Sequence, residues 1–391
     1  MNINPLLYDP LLRVFPLLAD PSHYVACPLD LTADDDQRKY WIDLFRWHLG
    51  LLADQSRHEH VLDPGIEKRV EVFEGAFHGF LDMLSEQPQR FGRLDIITIC
   101  WAREKALRNA GIDDPYRSTK AAENNSALKL LGPLLESLDG AHRDEWPQRL
   151  IEGVLAGNIF DLGATKTVEL FKEGTVDFHA TRRALRPRPW LIDDLDGLLG
   201  RWGKGPHRSA VLFVDNAGCD ILLGMIPLAR ELLRRGTDVL LTANSTPSLN
   251  DVTHEELTVL IERVAEQDRV VHEALADGRL ELVPSGNGVP LIDLSMVSRE
   301  LAEAVERRHI DLVVLEGMGR AIESNLDASF TCDAIKIAMV KDPGVARLLG
   351  GALYDLVLKF EPAGGEVKSE ERGGRCRGGM GRSRRRDGIC P

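Results

Sequence analysis

The sequence contains no apolar run of the length that a membrane-spanning helix requires. Its longest apolar stretch, near residues 221–229, is far shorter than the roughly 20 residues that cross a bilayer. The N-terminus, Met-Asn-Ile-Asn-Pro-Leu-Leu-Tyr-Asp-Pro, lacks the basic segment and the apolar core of a secretory signal. The six cysteines are scattered without a C-x-x-C pair, which in so long a chain indicates free thiols in a reducing compartment. The sequence therefore predicts a cytoplasmic protein with no membrane partner.

Several catalytic motifs are missing as well. The chain has no P-loop, no H-E-x-x-H and no G-x-S-x-G, so the common signatures of nucleoside triphosphatases, zinc proteases and serine hydrolases are absent. An excess of basic residues is also absent, because the formal net charge is -13. This balance argues for solubility and against a nucleic-acid-binding surface, although the last residues are rich in Gly and Arg.

Composition divides the 391 residues into five segments. Residues 1–30 are rich in Pro and Leu without a period, which predicts an extended arm on the surface, and residues 31–180 predict a helical domain. Residues 181–208 contain Arg-Pro-Arg-Pro-Trp and Gly-Arg-Trp-Gly-Lys-Gly-Pro, which is typical of an irregular connection. Residues 209–362 form the predicted α/β domain, and residues 363–391 form a Gly/Arg-rich tail that we expect to be disordered.

Apolar periodicity predicts the individual elements. In the helical domain Tyr40, Leu44, Trp47 and Leu51 recur at three- and four-residue steps. Helices are expected from Asp34 onward and over residues 64–84, 93–109, 121–138 and 144–156. Further along, strands are expected over residues 211–214, 239–243, 280–283, 312–315, 334–340 and 353–360, with helices over residues 220–235, 253–266, 291–308 and 345–349. This alternation predicts a doubly wound α/β sheet with right-handed crossovers.

Oxygen-bearing side chains follow the predicted strands at the points where the strands end. Asp215 and Asn216 follow the first strand, residues 244–251 follow the second, Asn287 follows the third and Glu316 follows the fourth. In an open parallel sheet the ligand crevice lies at these carboxyl ends, and such ligands suit hard cations such as Mg²⁺ or Mn²⁺. The alternative is that Asp215 and Asn216 merely cap the following helix.

A phosphate-binding loop is suggested by five consecutive residues, Glu316, Gly317, Met318, Gly319 and Arg320. The glycines would let backbone amides approach an anion, and Arg320 adds a positive charge, although a G-x-G also occurs in tight turns. Lys336 and Lys341 flank a predicted inner strand, where lysine is unusual unless it is paired. One of the two is expected to bind phosphate, and the alternative is a solvated strand edge.

Two polar segments interrupt the helical domain. The first runs from Arg103 to Asn125, and the second from Gly157 to Gly163. Both could be ordinary helix ends with capping residues. If the helical domain covers the crevice, these segments would contact the substrate and exclude water from it.

These residues together resemble one family. Val214-Asp-Asn-Ala-Gly-Cys-Asp220, Ala243-Asn244 followed by Asn250-Asp-Val-Thr253, and the segment 316–320 occur in this order and spacing in the metal-dependent damage-control phosphatases, once a domain of unknown function. The chain is similar in particular to the type found alone in plants and fused to a pantothenate-kinase-like domain in animals. The resemblance runs from about residue 30 to 362, whereas the tail from about Gly364 matches no part of the family.

The resemblance implies a helical region packed on a Rossmann-like, three-layer α/β/α domain. It implies hydrolysis of phosphate monoesters of small metabolites, with 4′-phosphopantetheine or its oxidised or damaged forms as the expected substrates. It also implies a divalent metal cofactor (Mn²⁺, Mg²⁺, Co²⁺ or Ni²⁺) held by Asp215, Asn216 and Asp251. The residues expected to contact substrate or phosphate are Lys120, Glu123, Asn124, Asn158, Asp161, Lys336 and the segment 316–320.

Asp215, Asp251 and Arg320 are the expected catalytic residues. The metal would polarise the phosphoryl group, while Arg320 and one of the two lysines stabilise charge on its oxygens. Water is the expected nucleophile, and covalent attack by Asp215 is the alternative.

Two other classes of function stay open. The same crevice suits a non-catalytic protein that binds a nucleotide or a phosphorylated metabolite, although the first strand-turn lacks G-x-G-x-x-G. The Arg-rich tail could instead serve as an interaction segment. The natural substrate, the preferred metal and the oligomeric state lie beyond what the sequence determines.

Overall fold

The structure, a computed structural model, describes residues 11–142, 145–158 and 182–364. Residues 1–10 of the predicted arm and residues 365–391 of the predicted tail therefore lie outside the described residues. Within them no helix combines the length and apolarity needed to span a bilayer. The helices are α1 (Asp35–Glu59), α2 (Ile66–Glu86), α3 (Ile96–Asn109), α4 (Arg117–Asp139), α5 (Trp146–Gly157), α6 (Leu195–Gly203), α7 (Ile226–Arg234), α8 (His254–Ala265), α9 (Arg269–Ala276), α10 (Arg299–Arg308) and α11 (Pro343–Leu349).

The described strands form one seven-stranded sheet in the order β1-β7-β6-β5-β2-β3-β4. They are β1 (Ile192–Asp193), β2 (Ser209–Phe213), β3 (Asp238–Ala243), β4 (Leu280–Pro284), β5 (Leu312–Glu316), β6 (Asp333–Met339) and β7 (Leu356–Glu361). Strand β7 runs antiparallel to β6, and the other neighbours are parallel. The chain proceeds from β2 to β3 and β4 on one side and then crosses to β5 on the other. The switch point between β2 and β5 is where a doubly wound sheet opens a ligand crevice.

Helices cover both faces of the sheet because both faces of its inner strands are apolar. Along β2, Val211 and Phe213 face one core, which they share with α1, α2 and α3. Ala210 and Leu212 face the other core, which they share with helices α4 to α9. Alternate residues of a strand point to opposite sides, so a continuous apolar run needs cover on both. This confirms the predicted three-layer α/β/α arrangement.

The predicted strands all form, and the errors lie between them. The segment 181–208 is not simply an irregular connection, because it contains β1 and α6. Strand β1 pairs with β7, and α6 buries Leu195, Leu198 and Trp202 in the core. The sequence analysis also missed α9. In α1 the predicted apolar stripe was wrong by one position, since Trp47 is 55% exposed while Trp41 and Phe45 are buried.

The described part of the N-terminal arm, residues 11–30, is largely exposed but is anchored by a few buried side chains. Phe15 is fully buried, and its ring contacts the rings of Phe213 and Phe330 with centroid distances of 5.6 and 6.2 Å. The arm also pairs with the segment before α10: Arg13 N–H donates to the Val297 carbonyl at 2.9 Å, and the reverse bond is 2.8 Å.

The same pairing explains why the helix predicted over residues 291–308 begins only at Arg299. Leu294 and Val297 use backbone groups to bind the arm, and Ser298 caps α10 by accepting from the Leu301 N–H. A segment whose backbone groups bond elsewhere cannot also form the helical ladder. Periodicity along a single chain does not contain this competition.

We expect Phe15→Ala to reduce the free energy of unfolding by about 3 to 5 kcal/mol, because it leaves a cavity against the sheet. Urea unfolding of the whole protein measures this loss. Val14→Ala is the matched control, since Val14 is 46% exposed, and we expect little change from it. Equal effects of the two substitutions would contradict the role of Phe15 in anchoring the arm.

Candidate active site

The site lies at the carboxyl ends of the neighbouring strands β2 and β5. Each of these strands is followed by a π-helical turn, Asp220–Met225 after β2 and Met318–Glu323 after β5. Helices with this wider hydrogen-bond ring are rare and occur mainly at functional sites. Cys219, and neither Asp215 nor Asn216, directly precedes the first turn, which does not fit the alternative that the pair caps this helix.

The backbone brings the three predicted metal ligands together. Asn216 forms an isolated antiparallel bridge with Asp251. On either side of it, Ala217 N–H donates to the Asn250 carbonyl at 2.9 Å, and Val252 N–H donates to the Asp215 carbonyl at 2.9 Å. These bonds join the loop after β3 to the turn after β2. Asp251 thereby becomes a neighbour of Asp215 and Asn216, although it is distant from them in the sequence.

Arg320 connects two of these residues. Its Nη1 donates to Asp215 Oδ1, and its Nη2 donates to Asp251 Oδ2 at 2.7 Å and to Asn244 Oδ1 at 3.0 Å. The side chain is only 2% exposed. Burial opposes the charge on this guanidinium, but the carboxylates of Asp251 and Asp215 outweigh it and raise the pKa of Arg320. Arg320 therefore stays charged between two anions.

Asp215 also belongs to a cluster of three buried carboxylates. One oxygen each of Asp215, Asp220 and Glu316 lie within 4.8 Å of one another. Burial and the neighbouring Asp215 raise the pKa of Asp220 to about 6. Burial and the charges of Asp220 and Asp215 raise the pKa of Glu316 well above its usual range. The nearby negative charges disfavour full ionisation of the three acids, and a cation bound among them would relieve this repulsion.

Amide groups satisfy part of this cluster. Asn158 Nδ2 donates to Glu316 Oε1 at 2.7 Å and to Asp220 Oδ2 at 3.1 Å, and Asn216 Nδ2 donates to Asp215 Oδ2 at 3.0 Å and to Asp220 Oδ2 at 2.9 Å. Glu316 Oε2 accepts the Asp215 N–H at 3.0 Å. The other oxygen of Asp220, Oδ1, is buried and has no hydrogen-bond partner among the described residues.

These features fit a divalent metal ion. An unpartnered buried carboxylate oxygen is unfavourable without a ligand. The carboxylate and amide oxygens gathered here are the donors that hard cations such as Mg²⁺ and Mn²⁺ prefer, and the ion would neutralise the crowded acids. The donor set alone does not distinguish one such ion from another.

Glycine allows the second turn to approach Asp215. Gly317 has a φ of +96°, and a Cβ built on it would lie 2.2 Å from Asp215 Oδ2. A Cβ on Gly319 would lie 2.5 Å from the Pro290 carbonyl oxygen. Both glycines of the G-x-G are thus required by close packing around Arg320. Between them, Met318 accepts the Lys341 N–H at its sulfur.

The helical domain packs against the turn after β2. Asn124 Oδ1 accepts the Gly218 N–H at 2.7 Å, and a Cβ on Gly218 would lie 3.2 Å from Glu123 Oε2. Lys120 is fully buried, and its ammonium contacts Asp114 at 3.0 Å and Glu256 at 2.9 Å. Lys120 therefore supports the loop next to the site from beneath.

The two candidate lysines lie in different surroundings. Lys341 Nζ donates to the Asn158 carbonyl at 2.9 Å, and its charge favours the ionised forms of Glu316 and Asp220. The ammonium of Lys336 instead contacts the Leu326 carbonyl at 2.8 Å and Glu361 at 2.6 Å. The structure does not bring Lys336 to the cluster of Asp215, Asp220 and Glu316, because its side chain turns toward Glu361 of β7. The predicted contact residue Asp161 lies outside the described residues.

Sequence reasoning missed two residues of the site. Asp220 stood inside the motif after β2 but was given no role, although it follows Asp215 by only five residues. Asn244 was noted only as part of the loop after β3, yet its Nδ2 donates to Asp251 Oδ2 at 2.8 Å. No pattern within a single segment could show that Asp220 lies beside Asp215 and that Asn244 contacts Asp251 and Arg320.

The fold and the site define an α/β protein that gathers buried carboxylates and an arginine at the switch point of its sheet. Residues 34–357 match the model of the damage-control phosphatase ARMT1-like domain. The chain therefore belongs to this family, as the sequence motifs predicted.

Named relatives agree with this assignment. The chain is 42% identical to pantothenate kinase 2 of Arabidopsis thaliana over 93% of its length but covers 43% of that protein. It is 40% identical to a damage-control phosphatase of Arabidopsis thaliana, over 88% of this chain and 96% of that protein. It is 35% identical to the 4′-phosphopantetheine phosphatase of Mus musculus, over 88% of this chain and 48% of that protein. The chain thus spans less than half of two of these relatives.

A solved structure shows the same fold. The crystal structure of a DUF89 family protein from Pyrococcus horikoshii superposes with a TM-score of 0.54 at 17% sequence identity. The match covers 79% of this chain and 95% of that chain. At this identity the likeness concerns the fold alone.

We expect Gly317→Ala to destabilise the protein more than Gly278→Ala. Both glycines have positive φ, so each substitution strains the backbone, but a Cβ at Gly278 meets no atom within 4 Å. The additional loss at Gly317 comes from the clash with Asp215. Urea unfolding of the two variants measures the difference, and equal losses would show that this approach is unimportant.

Proposed function

We propose that the protein is a metal-dependent phosphatase that hydrolyses phosphate monoesters of small metabolites. The observation that carries the proposal is that Arg320 contacts both Asp215 and Asp251. The site thus combines a buried cation with a cluster of carboxylates that could hold a metal ion. Phosphoryl transfer depends mainly on positioning and on stabilising charge at the phosphoryl oxygens, and these groups supply both.

Asp215, Asn216 and Asp251 are the proposed metal ligands, with Asp220 and Glu316 as further oxygens beside them. A metal held by these residues would polarise the phosphoryl group and increase the acidity of water. Arg320 holds Asp215 and Asp251 in place and contributes positive charge near the phosphoryl oxygens. Water attacks phosphorus as the ester P–O bond breaks, and its proton passes to the leaving alkoxide through the buried acids.

The arrangement supports a binding role for Asp215 over covalent attack. Asp215 Oδ1 accepts from Arg320, and Oδ2 accepts from Asn216. A nucleophilic carboxylate needs an oxygen that is open toward phosphorus. Each oxygen of Asp215 already accepts one hydrogen bond and keeps one lone pair, which a metal ion can use, so we propose metal binding as the role of Asp215.

For the substrate we propose 4′-phosphopantetheine or its oxidised or damaged forms. The support comes from relatives, one named damage-control phosphatase and one named 4′-phosphopantetheine phosphatase, which are 40% and 35% identical to this chain. Lys341 and Asn158 are the proposed phosphate-side contacts. We also propose a cytoplasmic location, because the described cysteines Cys27, Cys100, Cys219 and Cys332 are all free thiols.

The direct test is hydrolysis of p-nitrophenyl phosphate and 4′-phosphopantetheine by the purified protein with Mg²⁺, Mn²⁺, Co²⁺ or Ni²⁺. We expect at least one ion to support turnover and a chelator to abolish it. A non-catalytic binding protein would instead be stabilised thermally by the ester without releasing phosphate. That outcome would replace the phosphatase with the binding function.

We expect Asp251→Asn to reduce kcat/KM on the order of 100-fold or more, because it removes a proposed metal ligand and leaves Arg320 half-paired. The half-saturating metal concentration should rise as well. Asp277→Asn on the exposed end of α9 is the matched control and should behave as the unmodified protein. Normal metal dependence in Asp251→Asn would remove Asp251 from the ligand set, and the same assay on Asp220→Asn would then identify the alternative ligand.

The two lysines should separate in their effects. We expect Lys341→Met to raise KM about tenfold or more, because it removes a charge beside the phosphate site. Lys336→Met should mainly change stability, because its partners are Glu361 and backbone carbonyls. Steady-state kinetics and urea unfolding on both variants test this division, which fails if Lys336→Met shows the larger increase in KM.

A further inference from the structure

The loop that carries Asp251 contacts the helical domain through a buried hydroxyl. Ser248 lies three residues before Asp251 and is 2% exposed. Its Oγ donates to Glu104 Oε1 of α3 at 2.9 Å, and its backbone carbonyl accepts the Asp251 N–H at 3.1 Å. Ser248 therefore links Glu104 to the residue that accepts from Arg320.

Glu104 is itself held by its neighbour. Arg103 Nε and Nη2 both donate to Glu104 Oε1, at 2.9 and 2.7 Å. The two side chains are 1% and 3% exposed, and the Arg103 guanidinium lies 5.8 Å from the centre of the Phe45 ring. An ion pair this deep has a large desolvation cost, so replacing it by apolar residues often does not reduce stability. Stability alone therefore does not explain this pair, which contacts the loop at Ser248.

The loop needs such a support because its own conformation is strained. Between Ser248 and Asp251, Leu249 has a φ of +50°, which is unfavourable for a residue with a branched side chain. Strained backbone persists only where the surroundings determine it. Lys120 holds the other peptide group of Asp251, because its ammonium lies 3.4 Å from the Asp251 carbonyl oxygen.

We propose that Glu104 is a positioning residue, which through Ser248 fixes the backbone of Asp251 and so the direction of its carboxylate toward Arg320 and the metal. This inference depends on the proposed function of the site at one point, which is the role of Asp251 as a metal ligand. A displacement of about 1 Å in a reacting group can reduce the rate by about 100-fold, so the cost of losing this bond should appear in the site.

Ser248→Ala tests the proposal with the least disturbance, because it removes one hydroxyl and leaves the Arg103–Glu104 pair. We expect kcat for p-nitrophenyl phosphate to fall about tenfold with a smaller change in KM. Two readouts do not depend on turnover: Mn²⁺ affinity measured by calorimetry should weaken several-fold, and amide hydrogen exchange over residues 244–253 should accelerate.

Ser56→Ala is the matched control. Ser56 in α1 is also fully buried, and its hydroxyl donates to the Leu52 carbonyl at 2.6 Å, away from the loop. It should lose comparable stability while keeping Mn²⁺ affinity and loop exchange. The proposal is overturned if the two variants are alike in both readouts.

Glu104→Gln and Glu104→Ala supply an independent comparison. Glutamine keeps the oxygen that accepts from Ser248, so Glu104→Gln should retain Mn²⁺ affinity close to that of the unmodified protein although Arg103 loses its counter-charge. Glu104→Ala should resemble Ser248→Ala. If Glu104→Gln instead weakens Mn²⁺ binding as much as alanine does, the charge and not the position is the contribution, and the proposal is wrong. A protein that binds Mn²⁺ but hydrolyses no ester would contradict the phosphatase function and still leave these comparisons decisive.

Discussion

Four carboxylates, those of Asp215, Asp220, Asp251 and Glu316, lie buried near one another, and the cost of keeping negative charge away from water governs the rest of the site. Arg320 offsets part of that cost by contacting two of the four carboxylates. Asparagine amides answer another part, and a buried oxygen of Asp220 still has no partner among the described residues. The site is therefore built to receive a cation, and binding one would stabilise the folded protein as well as prepare it for chemistry.

The backbone also brings these acids together. Neighbouring parallel strands bring Asp215 and Glu316 together, and each is followed by a π-helical turn that shifts the next side chains relative to a regular helix. Gly317 has no side chain at the point where the second turn touches Asp215. The helical domain closes the arrangement with Asn158 and Asn124, so the acids are excluded from solvent and the electrostatic interactions of these acids with their charged neighbours are strengthened.

Tertiary contacts explain most of the differences between the expected and observed elements. Phe15 belongs to an arm that resembles a surface segment in sequence, yet it fills space above β2. The residues before Arg299 have a helical pattern but bond to that arm instead. Lys336 has the composition of a phosphate ligand, but its strand pairs with β7 and turns the ammonium toward Glu361. In each case a partner distant in the chain determines the outcome, and local pattern cannot include it.

The sequence by itself determined most of the strands and helices, although not β1, α6 and α9, together with the position of the crevice at the strand ends and the family, because these depend on apolar period and on motifs contiguous in the chain. It also marked Asp215, Asn216, Asp251 and Arg320 as residues of one site. Only the tertiary structure decided that Asp220 completes the acidic cluster, that Lys341 and not Lys336 lies beside it, and that Glu104 supports the loop of Asp251. The physical reason is that burial and electrostatic interaction depend on distances in space, and a chain specifies those distances only after its strands have paired and its helices have packed.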